Sequence, residues 1–386
     1  MNRKLKMGMV GGGPGAFIGG VHRIAAAIDG KIELVCGAFS SSVEKSKQAG
    51  EELFLPAERV YASFDEMYAK EAALPEGVRM DFVAIVTPNY VHFPAAMAAL
   101  EHGFHVVCDK PATLSLDEAV KLRDKVKETG LEFCLTHNYT GYPMVKQARA
   151  MVRNGDIGKV IKVVSEYPQG WLATKLESED QKQAAWRTDP AKAGVSCCMG
   201  DIGSHAENLA EFITGLKITE MCADLTTFVQ GRSLDDDGNV LVRFDNGARG
   251  IIYASQVSIG EENNINIRVY GTQGALEWHQ LEPNTLIVKH LDRPTELLRT
   301  GCAGVGDAAN YNTRTPAGHP EGFLEAFANL YRNFAEVLTA RFDGREPDPM
   351  ATDYPTIDDG VRGMVFIESC VASSQSDEKW YKFPDI

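Results

Sequence analysis

The stretch that decides the fold is Val10-Gly11-Gly12-Gly13-Pro14-Gly15-Ala16, which follows an apolar, strand-like run and precedes a helical pattern. Glycines between a strand and a helix allow a tight turn and a close approach of the main chain to a pyrophosphate, and the following helix N-terminus offers amide hydrogens. Gly11, Gly13 and Ala16 have the G-x-G-x-x-G/A spacing of such turns. The residues expected to bind a dinucleotide here are Gly11, Gly13, Gly15, Ala16 and Phe17.

Short apolar runs alternate with helical patterns through the first third of the chain. The runs expected to be strands are residues 5–10, 32–39, 82–87, 105–108 and 132–136. Strands separated by helices of about ten residues are typical of β-α-β units and a parallel sheet. The sequence therefore predicts an α/β fold whose N-terminal domain, residues 1–137, is a doubly wound Rossmann sheet that binds NAD(P).

The pattern of predicted strands and helices changes after Asn138. Longer alternating runs follow at 219–228, 239–244, 248–257 and 264–270, and Asp245-Asn246-Gly247 is a hairpin-type turn between two of them. Strands joined by tight turns are typical of antiparallel sheets. Residues 138–386 are therefore predicted to form an α+β domain with a large, open, mostly antiparallel sheet for substrate binding and oligomerisation. The polar stretch 174–194 is expected to be a long surface segment.

One face of this second sheet is expected to lack cover from its own helices. Val240, Val242 and Phe244 alternate along one strand, and such apolar side chains would need a partner. We predict a homodimer or homotetramer built on that face.

The composition excludes several classes of partner. The chain has 386 residues and a net charge of −14, without a block rich in Lys and Arg, so no nucleic-acid partner is expected. No apolar segment reaches the roughly 18 residues that span a bilayer, and no signal-peptide cleavage site follows the N-terminus. The 8 cysteines form no CxxC pair, which favours reduced thiols in the cytoplasm. No metal site is predicted, although Cys197 and Cys198 are adjacent.

The end of the second strand leaves the choice of cofactor open. An NAD-selective site normally has Asp or Glu there, to bind the ribose 2′-hydroxyl. Ser40 stands at that position and Ser41 follows it. A serine also tolerates a 2′-phosphate, but no arginine lies in this loop to bind one firmly. Both serines are expected to contact the cofactor, which is NAD or NADP.

Four further segments identify a family resemblance. Thr87-Pro88-Asn89-Tyr90-Val91-His92 follows one strand and Asp109-Lys110-Pro111 follows the next. Trp186-Arg187 and Gly200-Asp201-Ile202-Gly203-Ser204-His205 lie in the second half. Together they resemble the T-P-N-x-x-H, E-K-P, W-R and D-x-G-x-H segments of the glucose-fructose oxidoreductase / inositol dehydrogenase (Gfo/Idh/MocA) family, in the same order and over nearly the whole chain.

The sequence departs from this family in three places. Asp109 replaces the usual Glu of the E-K-P motif, the glycine loop is about three residues longer, as judged by the position of His22, and Ser40 replaces an acidic residue. The resemblance implies cofactor contacts from the two N-terminal segments. These residues are Thr87, Pro88, Asn89, His92, Asp109 and Lys110.

The predicted chemistry is the oxidation of an alcohol. Removing hydride from a secondary alcohol also requires removing its hydroxyl proton, and histidine suits that role because its pKa lies near neutral pH. Lys110, by the resemblance, would hydrogen-bond the reacting oxygen. Asp201 lies four residues before His205, so on a helix the two share a face, where Asp201 could orient His205 or hold a neighbouring substrate hydroxyl. We predict Lys110, Asp201 and His205 as the catalytic residues.

Further residues are candidates for binding the substrate. Asn138 and Tyr139 follow the last Rossmann strand, where open α/β sheets bind ligands. Phenol and guanidinium groups can hydrogen-bond sugar hydroxyls, and an indole can stack on a sugar face. The predicted set is Asn138, Tyr139, Tyr142, Trp171 and Arg187.

These features predict an NAD(P)-dependent oxidoreductase that acts on a secondary alcohol or ketone of a sugar, a glycoside or a cyclic polyol. One alternative is glycoside hydrolysis through transient NAD-dependent oxidation, which the same lysine and histidine could begin. The other is a non-catalytic dinucleotide-binding sensor. A non-catalytic sensor should have lost the catalytic residues, so the presence of Lys110, Asp201 and His205 argues against it. The preference for an enzyme depends on these residues, since fold alone does not define function.

Overall fold

The structure is a computed structural model that describes residues 3–179, 181–384 and 386. Met1, Asn2, Asp180 and Asp385 lie outside the described residues. The chain divides into two units. The first contains the described residues up to Asn138 together with Phe323–Val361, and the second contains those of Tyr139–Gly322 and Arg362–Ile386.

The first unit is built on a parallel sheet. Its elements up to Asn138 are β1 (Leu5–Gly11), α1 (Phe17–Ala27), β2 (Ile32–Ala38), α2 (Val43–Glu52), α3 (Phe64–Ala72), β3 (Phe82–Val86), α4 (Asn89–Glu101), β4 (His105–Cys108), α5 (Leu116–Thr129) and β5 (Phe133–Leu135). The strand order is β2-β1-β3-β4-β5, and a parallel bridge from Gly37 to Val60 extends the sheet beyond β2. The order reverses at β1, so the carboxyl ends of β1 and β3 meet where such sheets bind ligands. The predicted Rossmann fold is confirmed.

The rest of the chain forms a larger sheet and more helices. These elements are α6 (Pro143–Asn154), β6 (Val160–Pro168), α7 (Lys182–Arg187), α8 (Pro190–Ala193), α9 (Ser204–Thr214), β7 (Ile218–Thr226), β8 (Asp237–Phe244), β9 (Arg249–Ser255), β10 (Asn266–Gly271), β11 (Gly274–His279), β12 (Thr285–His290), β13 (Glu296–Arg299), α10 (Asp307–Tyr311), α11 (Phe323–Phe342), α12 (Ile357–Gln375) and β14 (Tyr381–Lys382). The strand order is β13-β12-β11-β10-β6-β9-β8-β7-β14. β6 pairs with β9 in parallel, and the other pairs are antiparallel. The predicted α+β half with a mostly antiparallel sheet is confirmed.

Helix α11 packs on the Rossmann sheet, although it comes late in the chain. The Phe334 ring lies 5.3 Å from the ring of Phe82 on β3, in an edge-to-face arrangement. α1 also packs along α11. The predicted boundary at residue 138 placed this helix in the second domain, and the structure differs because the apolar side of α11 covers β3 and α1 of the first unit.

The apolar residues expected to need a partner are already covered. Val240, Val242 and Phe244 are all buried within the second unit, so the expectation about these three side chains is wrong. Alternation along a strand reveals two faces but does not say which one the chain's own helices cover. The face that stays open carries Leu241, which is 47% exposed and pairs with Ile251 in the next strand.

The polar stretch 174–194 is more ordered than expected. Apart from Asp180, which lies outside the described residues, it contains α7 and α8. Ala184 and Ala193 from these helices are buried in a small apolar cluster with Leu172 and Leu234. Helices of 6 and 4 residues are too short to show a periodic pattern, so the sequence did not reveal them.

In the part of the chain that the structure describes, no helix combines the length and the apolar character needed to cross a membrane.

His105 makes the stability of the first unit sensitive to acid. Its ring is buried at the start of β4, and Nδ1 accepts the main-chain N–H of Glu132 at 2.9 Å. Burial, helped by the charge of Arg341, lowers the pKa of His105 to about 3. An unfolded histidine titrates near pH 6.5, so below that pH the unfolded state binds a proton that the folded state does not. This contribution to stability is complete above about pH 6.5 and is lost as the pH falls towards 3.

We therefore expect His105→Asn, which keeps an acceptor but cannot titrate, to lose less unfolding free energy between pH 7 and pH 5 than the wild type. The difference should be on the order of 2 kcal/mol. Urea unfolding at both pH values measures it. The exposed His319→Asn is the control and should keep the wild-type pH dependence; equal slopes for all three proteins would contradict the assignment.

Candidate active site

The glycine turn after β1 has the shape that a dinucleotide requires. A side chain on Gly13 would place its Cβ only 2.7 Å from the main-chain oxygen of Phe39, so only glycine fits beside the end of β2. Gly15 has a φ of +79° and borders open space, with no atom within 4 Å of an added Cβ. The turn is therefore tight on the protein side and open on the side where the phosphates would lie.

Helix α1 lies unusually close to this turn. A Cβ on Gly19 would be 2.4 Å from the Cα of Gly12, so Gly19 is the residue that allows α1 to pack closely on the turn. Ala16 is the N-cap of α1. The first turn of α1 carries no acidic side chain, and Phe17 within it is 71% exposed. The free amides and positive end of this helix suit a diphosphate.

A buried hydroxyl group of the first unit fits a site for a polar ligand. The hydroxyl oxygen of Thr87 has no hydrogen-bond partner among the described residues, and the methyl group of the same side chain lies 2.8 Å from the position of a Cβ on Gly11. A buried hydroxyl without a partner is costly, so Thr87 fits a site that a polar ligand completes. The residues present therefore fit a dinucleotide.

The Asp109 carboxylate connects several elements of the first unit. Its Oδ1 accepts from His22 Nε2 at 2.9 Å and from the Thr136 hydroxyl at 2.7 Å. His22 is fully buried, and its Nδ1 lies 2.6 Å from the hydroxyl of Tyr331. Burial by itself would raise the pKa of Asp109, but the His22 ring and the Thr136 hydroxyl outweigh it and lower that pKa. The segment that carries Lys110 is thus fixed by an ionised carboxylate.

His92 holds the two cofactor segments together. Its Nδ1 lies 2.8 Å from the carbonyl oxygen of Pro111, and its Nε2 lies 2.9 Å from that of Thr87. Burial lowers the pKa of His92, so the ring is neutral and donates to one carbonyl at a time. His92 therefore binds main chain on both sides. Next to Lys110, His137 is also neutral, because burial and the Lys110 charge lower its pKa to about 3.

The serines after β2 belong to the start of α2. The Ser40 hydroxyl accepts the main-chain N–H of Ser42 at 3.2 Å. Ser42 caps α2 and donates its hydroxyl hydrogen to Glu44 at 2.8 Å. A carboxylate therefore stands within four residues of Ser40, which the sequence pattern had not connected with the ribose end.

Asp201 in the second unit is held by two donors. It lies in a π-helical turn, Met199–Gly203, that leads into α9. Its Oδ2 accepts from Arg187 Nε at 3.0 Å and from Gln256 Nε2 at 2.9 Å. A π-helical turn is wider than an α-helical one, so Asp201 and His205 do not lie on one regular α-helix: Asp201 is in the π-helical turn and His205 is in the first turn of α9. Such turns are frequent at functional sites.

His205 packs in an aromatic and amide cluster of the same unit. Its ring lies 4.8 Å from that of Tyr139, edge to face. The Tyr139 and Tyr167 hydroxyls are hydrogen-bonded to each other, and Asn263 bonds both, accepting from Tyr167 at 2.7 Å and donating to Tyr139 at 3.1 Å. Burial raises the pKa of both phenols, so they keep their hydrogens.

The remaining predicted substrate residues differ in accessibility. Trp171 is half-buried and donates its indole N–H to Gln169 at 2.9 Å. Tyr142 is buried between the rings of Tyr139 and Trp278, so it supports Tyr139. Asn138 is also buried, at the end of the first unit. Arg187 lies over the Trp186 ring at 4.2 Å and uses its Nε for Asp201.

Sequence reasoning missed several residues near the predicted ones. Gln256 is fully buried, and it follows Ile252 and Ala254 at the inward positions of β9. A polar residue at an inward position was the available signal. His22 is another such residue, and nothing local in the sequence connects it with Asp109. All 8 cysteines are free thiols, and in the described part of the chain no group of three or more His, Cys, Asp or Glu side chains is arranged to hold a metal ion.

Comparison with known proteins agrees with this geometry. Residues 5–139 match the model of an oxidoreductase family with an NAD-binding Rossmann fold, and residues 145–277 match the Gfo/Idh/MocA C-terminal domain. The chain belongs to the Gfo/Idh/MocA oxidoreductase family. It is therefore an oxidoreductase with an NAD-binding Rossmann domain.

Relatives extend over the whole length of this oxidoreductase. The crystal structure of an oxidoreductase from Sinorhizobium meliloti is 47% identical, with a TM-score of 0.90 over 99% of this chain and 100% of that chain. An inositol dehydrogenase homologue from Azotobacter vinelandii, complexed with NADH and myo-inositol, is 32% identical, with a TM-score of 0.91 over 99% of this chain and 98% of that chain. Levoglucosan dehydrogenase of Pseudarthrobacter phenanthrenivorans is 26% identical over 100% of this chain and 99% of its own.

The close approach at Gly19 predicts a difference between neighbouring glycines. Gly19→Ala pushes a Cβ into main chain at 2.4 Å, so α1 must move and we expect NAD binding to weaken about tenfold or more. Gly20→Ala is the matched control, because the nearest atom is a flexible Arg23 nitrogen at 4.0 Å. It should keep its NAD affinity and gain up to about 1 kcal/mol of stability. Calorimetric titration with NAD measures the affinity of each variant, and equal affinities would contradict the role of Gly19.

Proposed function

We propose that this oxidoreductase oxidises a secondary alcohol of an uncharged sugar, glycoside or cyclic polyol, with NAD as the hydride acceptor. The observation that supports this most is the second-unit arrangement around Asp201. A carboxylate bound by Arg187 and Gln256 lies in the π-helical turn that leads into α9, where His205 packs on Tyr139. Fixed acid and imidazole groups of this kind suit proton transfer from a hydroxyl.

Each catalytic residue takes a separate role in this proposal. Lys110 donates a hydrogen bond to the reacting oxygen and favours its developing negative charge. His205 accepts the hydroxyl proton, because a neutral imidazole is a suitable base near neutral pH. Asp201 orients His205 or holds a neighbouring substrate hydroxyl. Bound NAD supplies the acceptor for the hydride of the carbinol carbon.

The charges of the second unit favour an uncharged substrate. Arg187, the predicted substrate-binding cation, is already paired with Asp201 at 3.0 Å. The rings of Tyr139 and Tyr167 pack on His205, and the Asn263 amide is hydrogen-bonded to both of their hydroxyls. Such neutral donors and acceptors match hydroxyl groups, and a phosphate or carboxylate would need an uncommitted cation to replace its hydration.

The start of α2 favours NAD over NADP. Glu44 accepts the Ser42 hydroxyl at the N-terminus of α2, and Ser40 is engaged in the same turn. A carboxylate there repels a 2′-phosphate, whereas a 2′-hydroxyl can donate to it. We also propose a cytoplasmic location, since all 8 cysteines are free, including the exposed Cys302.

A second copy of the chain is the proposed partner, on the open face of the nine-stranded sheet. Leu241, Ile251 and Val164 lie side by side in the strand register on this face. Apolar side chains in such a row gain from burial against the same surface of another copy.

Leu241→Glu should therefore shift the mass measured by light scattering from that of a dimer or tetramer to that of a monomer, because it places a charge in the apolar row. Leu291→Glu is the matched control, since Leu291 is 83% exposed just after β12. It should keep the wild-type mass. A wild-type monomer at micromolar concentration would contradict the proposed assembly.

The enzymatic proposal is tested by a screen of reduced-nicotinamide absorbance. The panel contains inositols, glucose, glucosides, anhydrosugars and glucose 6-phosphate, each with NAD and with NADP. We expect turnover of an uncharged member with NAD and a loss of roughly 10²–10⁴-fold in kcat for Lys110→Ala and His205→Ala. The exposed Lys121→Ala and His319→Ala are controls and should stay within about twofold of the wild type.

Other outcomes of the same screen point elsewhere. Release of free sugar from a glucoside, without net formation of NADH, would indicate glycoside hydrolysis through transient oxidation. Preference for glucose 6-phosphate would contradict the uncharged substrate. Tight NAD binding without turnover of any compound would contradict the proposed dehydrogenase.

A further inference from the structure

Gln256 lies in the second unit and is fully buried. Both of its main-chain polar groups and both ends of its side-chain amide are hydrogen-bonded. Its main-chain N–H donates to Asp236 at 2.9 Å, and its carbonyl oxygen accepts from Leu172 at 3.0 Å. Its side-chain Nε2 donates to Asp201 at 2.9 Å, and its Oε1 accepts from the Cys197 thiol at 3.2 Å. A buried amide fixed at both ends has one orientation.

We propose that Gln256 is a positioning residue for the Asp201 carboxylate, and that the Cys197 thiol sets the orientation of the Gln256 amide. This inference rests on the proposed function, because it concerns the carboxylate to which that function assigns a catalytic part. It explains a buried cysteine and a buried glutamine by one chain of contacts.

The direction of the amide follows from the chemistry of its two neighbours. Asp201 is a carboxylate and can only accept, so the NH₂ end of Gln256 must face it. If the amide rotated by half a turn, its oxygen would face the Asp201 oxygen at hydrogen-bond distance and repel it. A thiol at the other end prevents this rotation, since it donates to an oxygen and has no comparable bond to offer an NH₂ group.

The Cys197 thiol remains a donor over the working pH range. Burial, together with the negative charges of Asp201 and Asp235, raises the pKa of Cys197 far above neutral. The thiol therefore keeps its hydrogen, and it lies too deep in the structure to react as a thiolate.

Asp235 fixes the segment that carries Cys197. Its carboxylate accepts from the Ser196 hydroxyl at 2.9 Å and from the main-chain N–H groups of Cys197 and Met199, both at 3.0 Å. These bonds lie immediately before the π-helical turn of Asp201. Cys197 thus has a fixed main chain, and its thiol has a fixed direction.

Removing the Gln256 donor should change the acidity of Asp201. Titratable and charged groups that interact with Asp201 include Arg187, Tyr139, Tyr167, Cys197 and Cys198. The two phenols and the two thiols have raised pKa values and stay neutral. His205, which packs on Tyr139, is a further titratable group of the cluster. A donor to the charged form lowers the pKa of a carboxyl, so its loss raises the proton affinity of Asp201.

The first measurement does not depend on turnover. Carboxyl-labelled aspartate is introduced into the full chain, the Asp201 signal is assigned with Asp201→Asn, and its titration is followed by carbon NMR. Gln256→Met keeps the volume but removes the donor, so we expect about a tenfold higher proton affinity of Asp201. Cys197→Ala should act in the same direction, and Cys197→Ser, which still donates, should restore the wild-type titration. Cys198→Ala is the matched control and should leave it unchanged.

The second measurement is the pH profile of kcat/KM with the substrate found in the screen. The acid limb should move up by about one pH unit in Gln256→Met and in Cys197→Ala, but not in Cys197→Ser or Cys198→Ala. A merely structural role would lower the rate without moving the limb.

An unchanged Asp201 titration in Gln256→Met, or equal effects of Cys197→Ser and Cys197→Ala, would overturn the proposal. If Gln256→Met does not fold, the pair of Cys197 variants decides alone. If the wild type turns over no compound, the proposed function fails, and the NMR titration still decides the positioning role.

Discussion

A carboxylate that leaves water must be given donors, and the first unit depends on how Asp109 meets this requirement. An ionised group in a poorly solvated place costs several kcal/mol unless it is paired and hydrogen-bonded. His22 and Thr136 provide the two bonds, and Tyr331 fixes the His22 ring from the other side. Burial raises the pKa of Tyr331, so its hydroxyl donates to Nδ1 and leaves the hydrogen on Nε2 for Asp109. One charge thus ties α1, the end of β4, the segment after β5 and α11.

The second unit contains two carboxylates, the buried Asp235 and the partly buried Asp201, which are hydrogen-bonded by different kinds of donor. Asp235 is satisfied mainly by main-chain amides before the π-helical turn, and burial, only partly offset by these bonds, raises its pKa. Asp201 is bound by a guanidinium and a side-chain amide instead. Main-chain donors hold a segment in place, whereas side-chain donors leave the carboxylate at the edge of its site, where 15% of the Asp201 side chain stays exposed. Asp235 therefore holds its segment in place, and Asp201 is the carboxylate to which the proposed function assigns contact with the substrate.

The sequence predicted what is local. The glycine turn, the alternation of strands and helices, and the parallel sheet followed by an antiparallel one could all be predicted from residues near one another in the chain. The G-x-G-x-x-G/A spacing ends at Ala16, whereas the glycine that packs α1 on the turn is Gly19, three residues later, in agreement with the longer glycine loop noted in the sequence. The contacts of His22 with Tyr331 and of Asp201 with Gln256 join distant segments, and no local pattern encodes such pairs. The covered face of β8 was also beyond reach, since both faces of the sheet carry apolar side chains.

The late position of α11 has a consequence for how the protein is made. The Rossmann strands leave the ribosome first, yet the helix that covers β3 and supplies Tyr331 to His22 follows only after residue 322. At a translation rate on the order of 10 residues per second, the nascent first unit waits well over ten seconds for its last layer. During that interval the buried face around Phe82 and the His22 ring are exposed on the growing chain. The order of residues along the chain therefore creates a period in synthesis when chaperone protection of this surface matters most.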